Sequence, residues 1–233
     1  MMFLRLPVAS LRGAIVDLDG TLVDTLGDFA AAIAPMLGEL ALPPIAAQAI
    51  EKMVGKGSEH LIRSVLAHVG GSPSLYESAW ASYQGHYRRV NGQHSRVYAG
   101  VVEGLDAFRA AGLRLACLTN KPTAFAEALL RAKGLRDYFG PVFGADAYER
   151  TKPDPLPVIK TCEALNCAPS ATLVVGDSGN DARAARAAGC PVVLVTYGYN
   201  HGKQVHEEDA DGFAASLAEV AAAVRSACPA ALP

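Results

Sequence analysis

Short apolar runs rich in Val, Ile and Leu recur along the chain, and each is followed by an amphipathic stretch. The runs cover 13–16, 113–118, 142–143, 172–175 and 192–195. They are continuous rather than alternating, as in strands buried on both faces. The stretches at 102–111, 123–133, 154–165 and 180–188 carry apolar residues at helical spacing. Strand alternating with helix predicts right-handed βαβ units and a parallel sheet. Gly112, Gly134 and Gly189 stand where three of these helices should stop.

One interval breaks the alternation. From about Asp24 to about Arg96 the pattern offers no convincing strand. Alanine-rich and amphipathic stretches are interrupted by Leu42-Pro43-Pro44, Gly55-Lys56-Gly57 and Gly70-Gly71-Ser72-Pro73. That spacing predicts about four helices in a small bundle, inserted directly after the first strand. The expected organisation is an α/β core over 1–22 and 97–233, with an α-helical unit over 23–96 covering one end.

In an open parallel sheet, ligands bind outside the carboxyl ends of the strands. The first run leads into Asp17-Leu18-Asp19-Gly20-Thr21-Leu22, and the second into Thr119-Asn120-Lys121. The third is followed, after a short excursion, by Thr151-Lys152-Pro153-Asp154. The fourth leads into Gly176-Asp177-Ser178-Gly179-Asn180-Asp181. If Asp17 ends a strand, Leu18 points away and the carboxylates of Asp17 and Asp19 face one side. Nearby carboxylates repel unless a cation joins them or one keeps its proton. With Asp177 and Asp181 added, the set suits a hard, oxygen-preferring ion such as Mg²⁺. Neither Cys nor His residues cluster at the spacing of a softer metal site. Gly20 and Thr21 leave backbone N–H groups for phosphate oxygens, Lys152 offers a positive charge, and Thr119 offers a hydroxyl. Each feature alone has an ordinary explanation: a solvated turn, a helix cap or a surface lysine. Taken in order, each behind its own strand, they point to one site.

On these residues the chain resembles the haloacid dehalogenase superfamily, specifically its phosphatases. Asp17-Leu18-Asp19-Gly20-Thr21-Leu22-Val23-Asp24 resembles its first motif, Thr119 the second, Lys152 the third and Gly176 to Asp181 the fourth. The helical insertion is similar to that superfamily's small cap. Val54-Gly55-Lys56-Gly57 in that insertion, Leu118-Thr119-Asn120-Lys121-Pro122, and Val195-Thr196-Tyr197-Gly198-Tyr199-Asn200 near the end resemble the bacterial phosphoglycolate phosphatases most. Position 16 departs from the pattern, with Val where Phe is usual, which should affect only packing.

The resemblance implies a doubly wound, Rossmann-like sheet with strand order 3-2-1-4-5 and a switch-point crevice between Asp17 and Asp177. It implies hydrolysis of a small anionic phosphate monoester such as 2-phosphoglycolate. Asp17 would be the nucleophile and Asp19 the general acid and base. Mg²⁺ would be held by Asp17, the Asp19 backbone carbonyl and Asp177, with Asp181 as a further or outlying ligand. Thr119, the Asn120 backbone and Lys152 would bind the phosphoryl oxygens.

Asp19 argues against a dehalogenase of this superfamily, which lacks that second aspartate. A phosphonatase would need a Schiff-base lysine in the cap, where Lys52 and Lys56 are the candidates. A sugar-phosphate phosphatase or a phosphoglucomutase shares all four motifs and stays as an alternative. A receiver-type phospho-aspartate switch is opposed by the large insertion and by Asp19. The motifs handle only the phosphoryl group, so substrate choice is expected from the insertion. There Gly55, Lys56 and Gly57 form a loop in which Lys56 would meet a substrate carboxylate or simply complement a helix end. Trp80, Tyr83 and Tyr87 recur at helical spacing and read as packing. Tyr197, Tyr199 and His201 follow the fifth strand and either border the site or only pack there.

Composition narrows the setting. The chain has 233 residues, 51% of them hydrophobic and 19% charged, enough for a sizeable core and unlike disorder. Lys plus Arg number 21 against 23 Asp plus Glu, a balance that argues against non-specific nucleic-acid binding. Mean hydropathy is +0.18, yet no apolar run reaches membrane-helix length, so no membrane association is expected. The first thirteen residues make a poor signal peptide, because Arg5, Pro7 and Arg12 interrupt them. The cysteines, 5 in all and without a C-x-x-C pair, read as thiols of a reducing cytoplasm. Oligomeric state is left open.

Overall fold

The computed structural model describes residues 10–226. Residues 1–9, on which the signal-peptide expectation largely turns, and Cys228 lie outside the described residues. The first strand, β1 (Gly13–Val16), leads into a two-residue strand β2 (Val23–Asp24). Four helices follow: α1 (Leu26–Glu39), α2 (Ala47–Glu51), α3 (Ser58–His68) and α4 (Tyr76–Val90). A second two-residue strand, β3 (Arg96–Val97), returns the chain. The alternating part is α5 (Val101–Ala110), β4 (Arg114–Leu118), α6 (Thr123–Ala132), β5 (Val142–Phe143), α7 (Leu156–Ala164), β6 (Thr172–Gly176), α8 (Gly179–Ala188) and β7 (Val192–Val195). A last strand, β8 (Gly212–Ala214), and α9 (Leu217–Ser226) complete the described chain.

The main sheet has the order β5-β4-β1-β6-β7-β8, and all its pairings are parallel. The first five strands therefore take the order expected from the sequence, and β8 extends it by one strand. β1 sits between β4 and β6, with Val16 paired to Cys117 on one side and Val175 on the other. The chain winds away from β1 in both directions, so the carboxyl ends of β1, β4 and β6 meet at the switch point.

Period-2 geometry explains the unbroken apolar strands. Val16, Cys117, Val175 and Val193 face a core built with α5, α6 and α9. Their neighbours Ile15, Leu118, Val174 and Leu194 face a second core against α7 and α8. A strand covered on both faces has no polar side to alternate with. The glycines expected to stop helices do so: Gly112, Gly134 and Gly189 take φ of 75°, 69° and 79°, where a β-carbon would be strained.

The helices α1 to α4 bury a further cluster that includes Ile33, Met36, Ile62, Val65 and Tyr83, joined from the other unit by Tyr199 and Phe125. Tyr83 and Tyr87 are buried in it, as packing residues should be, and Trp80 lies partly buried against them. Two features escaped the sequence pattern. β2 and β3 pair antiparallel, Val23 with Val97 and Asp24 with Arg96, a ribbon at the base of the helical unit too short to show a period. Asp28 looks like a first-turn helix acid, but it is buried. Its carboxylate accepts the Gly92 N–H at 2.8 Å and the His94 N–H at 2.7 Å, tying α1 to the chain leaving α4. Among the described residues, no helix is long and apolar enough to cross a membrane.

Candidate active site

The cavity lies at the carboxyl ends of β1, β4 and β6, under the helical unit. Its empty space is about 460 Å³, open mouth included. Asp17 and Asp19 line it, whereas Leu18 is fully buried in the core. The alternation expected across this pair is thus present. Gly20, at φ 86°, turns the chain immediately after them, and a β-carbon there would lie 2.2 Å from Asp177 Oδ2. Only glycine lets the first loop and the Asp177 carboxylate approach so closely.

Lys152 joins the loops. Its ammonium donates to the Leu118 carbonyl at 2.8 Å and to Asp181 Oδ1 at 2.7 Å. Asp17 Oδ1 lies 2.9 Å away, an ion pair that lacks hydrogen-bond alignment, so this oxygen has no aligned donor. Asp181 is the third residue of α8, and its Oδ2 accepts the Ser178 hydroxyl at 2.8 Å and the Ser178 N–H at 3.2 Å. Both its oxygens are therefore occupied by protein donors. Asp177 accepts the Thr21 hydroxyl at 3.2 Å and, through its other oxygen, the Tyr199 N–H.

One carboxylate oxygen from each of Asp17, Asp177 and Asp181 falls within 4.8 Å of the others. Two buried carboxylates and the largely covered Asp17 cluster around one ammonium, and the electrostatics reflect that excess. Burial raises the Asp17 carboxyl to about 6 against the pull of Lys152, with the Asp181 charge adding to the rise. Burial and the charges of Asp181 and Asp17 push Asp177 well above the ordinary carboxylate range. Burial alone would lower Lys152, but the charges of Asp17 and Asp181 reverse this and hold it above its usual value. An all-oxygen donor set with surplus negative charge fits a hard divalent cation.

The second-strand segment supplies Thr119 and Asn120, both buried and both lining the cavity. Thr119 Oγ1 accepts the Lys121 N–H at 3.2 Å. The Asn120 side chain accepts the Lys152 N–H at 3.1 Å and donates to the Lys152 carbonyl at 2.8 Å. It also donates to the Gly55 carbonyl at 3.0 Å, which receives the Asn180 amide as well, at 3.1 Å. The cap loop is thus hydrogen-bonded onto the sheet end. Gly55 and Gly57 line the cavity, with φ of 105° and 88°. Lys56 between them is exposed and lines the adjoining cleft with Trp80 and Pro122. Lys56 is absent from the lining of the cavity that holds Asp17, Asp19, Thr119 and Lys152, and of the expected site residues it shares its own cleft with Gly57 and Asn120.

Two residues carry more of the site than their sequence suggested. Lys121 is buried, and its ammonium binds both oxygens of Asp19, at 2.8 and 3.0 Å. The same ammonium lies 4.7 Å from the Phe29 ring centroid and 5.0 Å from that of Tyr87. Tyr199, besides its contact with Asp177, donates its hydroxyl to Asp24 at 2.5 Å and accepts the N–H groups of Thr25 and Leu26 at 2.9 and 3.1 Å. It thereby holds the start of α1. Tyr197 donates to the Thr21 carbonyl at 2.7 Å, and His201 meets the Asn180 amide at 3.2 Å. The loop after β7 therefore braces the site. A buried cation next to an Asp-x-Asp segment is the signal that could have singled out Lys121, but only the fold reveals the burial.

Comparison with known proteins agrees with this geometry. Residues 11–189 match the family model described as haloacid dehalogenase-like hydrolase. The phosphoglycolate phosphatase of Thiobacillus denitrificans is 45% identical over 220 residues, 93% of this chain and 97% of that protein. That of Nitrosospira multiformis is 45% identical over 212 residues, 90% and 93% of the two chains. A crystal structure described as a predicted phosphoglycolate phosphatase from Haemophilus somnus superposes with a TM-score of 0.87 at 30% identity, covering 91% of this chain and 96% of its own. With the family model spanning 11–189 and the aspartates, the buried lysine and the switch-point cavity in place, the chain belongs to the haloacid dehalogenase-like hydrolases.

Proposed function

We propose that this hydrolase is a Mg²⁺-dependent phosphatase that cleaves 2-phosphoglycolate to glycolate and phosphate through an aspartyl-phosphate intermediate. The observation that carries the reading is the ion-paired set of Asp17, Lys152 and Asp181, with Asp19 two residues from Asp17 in one cavity. Relatives at 45% identity that bear the phosphoglycolate phosphatase name support the substrate. The proposed division of labour is a catalytic core over 1–22 and 97–233 beneath a helical cap over 23–96, supported by a hydrophobic cluster drawn mostly from the cap helices, with Tyr199 and Phe125 joining it from the core. Buried, unpaired thiols at Cys117, Cys162 and Cys190 support a reducing cytoplasm as its setting.

Asp17, Asp177 and the Asp19 backbone carbonyl would hold the ion. Asp181, with both carboxylate oxygens already engaged by Lys152 and Ser178, would act from behind them. Bound there, a divalent cation would neutralise charge on the phosphoryl oxygens and let the phosphoryl dianion of the substrate enter an acidic site.

Asp17 attacks phosphorus as the P–O bond to the leaving group breaks, and Asp19 gives its proton to the departing alkoxide. Glycolate leaves. Asp19, now a carboxylate, takes a proton from the water that attacks phosphorus, and the bond from phosphorus to Asp17 breaks. Inorganic phosphate is released and both aspartates return to their starting states. Throughout, Lys152, the Thr119 hydroxyl and the Asn120 N–H face the equatorial oxygens, where charge must be held. The helical cap limits bulk water, so that water meets phosphorus only after the alkoxide has gone.

The testing experiment is a panel of phosphate monoesters with Mg²⁺, including 2-phosphoglycolate, hexose 1- and 6-phosphates and aryl phosphates. The highest kcat/KM should belong to 2-phosphoglycolate, with phosphate released at every turnover. A preference for a hexose phosphate, or phosphate transfer without release, would reject the reading.

A further inference from the structure

The cavity must answer two separate charges if the leaving group carries a carboxylate. Lys152 is committed to the phosphoryl end, where Asp17, Asp181 and the Leu118 carbonyl surround its ammonium. The cap contributes Phe29, Val54, Gly55, Gly57, Ser58 and Leu61 to the lining. None of these is charged, and Lys56 faces the neighbouring cleft. Among the described lining residues one other cation exists, Lys121, and it comes from the core.

Its placement suits a carboxylate. In 2-phosphoglycolate the carboxylate carbon is two bonds from the ester oxygen, the atom that Asp19 must protonate. Lys121 Nζ sits 2.8 Å from Asp19, so a cation stands beside the place where the ester oxygen will be. An ammonium has three N–H donors. Two go to the oxygens of Asp19, and the third has no protein acceptor among the described residues. Burial and the rings of Phe29 and Tyr87 hold the head group in place without competing for that donor. The cap side of the cavity offers apolar walls at Phe29, Val54 and Leu61, poor partners for the hydroxyls of a sugar and adequate ones for a methylene.

Resting on the phosphatase reading above, we propose that Lys121 is the substrate-specificity residue. It binds the carboxylate of a small 2-phospho-carboxylic acid and so selects phosphoglycolate over uncharged esters of the same size. Lys56 then serves the surface.

The test compares 2-phosphoglycolate with 2-hydroxyethyl phosphate, which replaces the carboxylate with an uncharged CH₂OH. Wild type, Lys121→Gln, Lys121→Met and Lys121→Arg are assayed with saturating Mg²⁺. The readout is the ratio of kcat/KM for the two esters, because a disturbed Asp19 lowers both alike and cancels. Losing a charge-assisted contact should lower that ratio roughly ten- to a hundredfold in Lys121→Gln and Lys121→Met, mainly through KM for phosphoglycolate. Lys121→Arg should keep most of the preference. Gln can still donate to Asp19, so it keeps a contact there that Met removes. An unchanged ratio in Lys121→Gln, with both esters slowed equally, makes Lys121 only a positioning residue for Asp19 and overturns the inference alone. A wild type with no preference for phosphoglycolate overturns the phosphatase reading as well, and that outcome is visible before any variant is made.

Discussion

Lys152 and Asp181 meet 2.7 Å apart with almost no solvent contact, their side chains 4% and 1% exposed. Asp17 shares the same ammonium from its other side. Removing the lysine strands two carboxylates in a buried site, and breaking a buried pair this way costs about 3–5 kcal/mol. Lys152→Met should therefore lower the melting temperature of metal-free protein markedly at neutral pH. The loss should shrink near pH 5, where Asp17 can take up a proton. Activity should fall by at least a hundredfold. Thermal melts at the two pH values check this, and equal destabilisation at both would contradict the pairing.

The Asp17 carboxyl is raised by burial from 3.8 to about 6. A raised carboxyl favours the folded state fully below its unfolded value, and the contribution is lost as pH climbs through the folded one. Metal-free wild type should thus lose stability relative to Asp17→Asn between about pH 4 and pH 6. Mg²⁺ reverses the penalty by pairing with the ionised form, so its stabilising shift should be larger at pH 7.5 than at pH 5. Melting curves of both proteins across that range, with and without Mg²⁺, measure it. A Mg²⁺ shift independent of pH would count against Asp17 as a ligand.

These charge relationships were only partly legible in the sequence. Asp17, Asp19, Thr119, Asp177 and Asp181 stand close behind strands and Lys152 a short excursion after one, and the switch-point rule gathers such positions at one end of the sheet. The α/β alternation was readable from the apolar runs and the amphipathic stretches between them, and the strand order followed from the family resemblance. Lys121 was not readable, because its contact with Asp19 spans 102 positions of chain and depends on rings supplied by two cap helices. The direction of Lys56 stayed open, because a Gly-Lys-Gly turn has no period from which to read where a side chain points. β8, a three-residue Gly-Phe-Ala strand, is too short to distinguish from a loop.

Tyr199 joins Asp177 to the first turn of α1. Its hydroxyl serves Asp24, Thr25 and Leu26 in a largely buried position. Tyr199→Phe leaves the Thr25 N–H without its partner and removes one donor from Asp24, which keeps Arg96 and the Leu26 N–H, at a cost of about 1–3 kcal/mol. The cap should open more readily, raising KM while the backbone contact to Asp177 persists. Denaturant unfolding and steady-state kinetics test this together. An unchanged midpoint would show that the hydroxyl bears no load at the cap base.

Excess chelator should stop turnover, and Mg²⁺ should restore it. Asp177→Ala should raise the Mg²⁺ concentration required at least tenfold or abolish activity, because it removes one of the ligands. Asp181→Asn should weaken Mg²⁺ less, since its oxygens already serve Lys152 and Ser178. Mg²⁺ titrations of activity rank the two variants. The reverse ranking would exchange the two roles.

The central claim is that phosphate passes through Asp17. Wild-type enzyme turning over 2-phosphoglycolate with Mg²⁺ can be quenched in acid, which preserves acyl phosphates, and its peptides examined by mass spectrometry. A phosphoryl group on Asp17, present during turnover, lost as substrate is exhausted and absent from Asp17→Asn, is the expected result. Steady turnover with Asp17 never modified, or an Asp17→Asn protein that retains a tenth of the activity without deamidation, would contradict it.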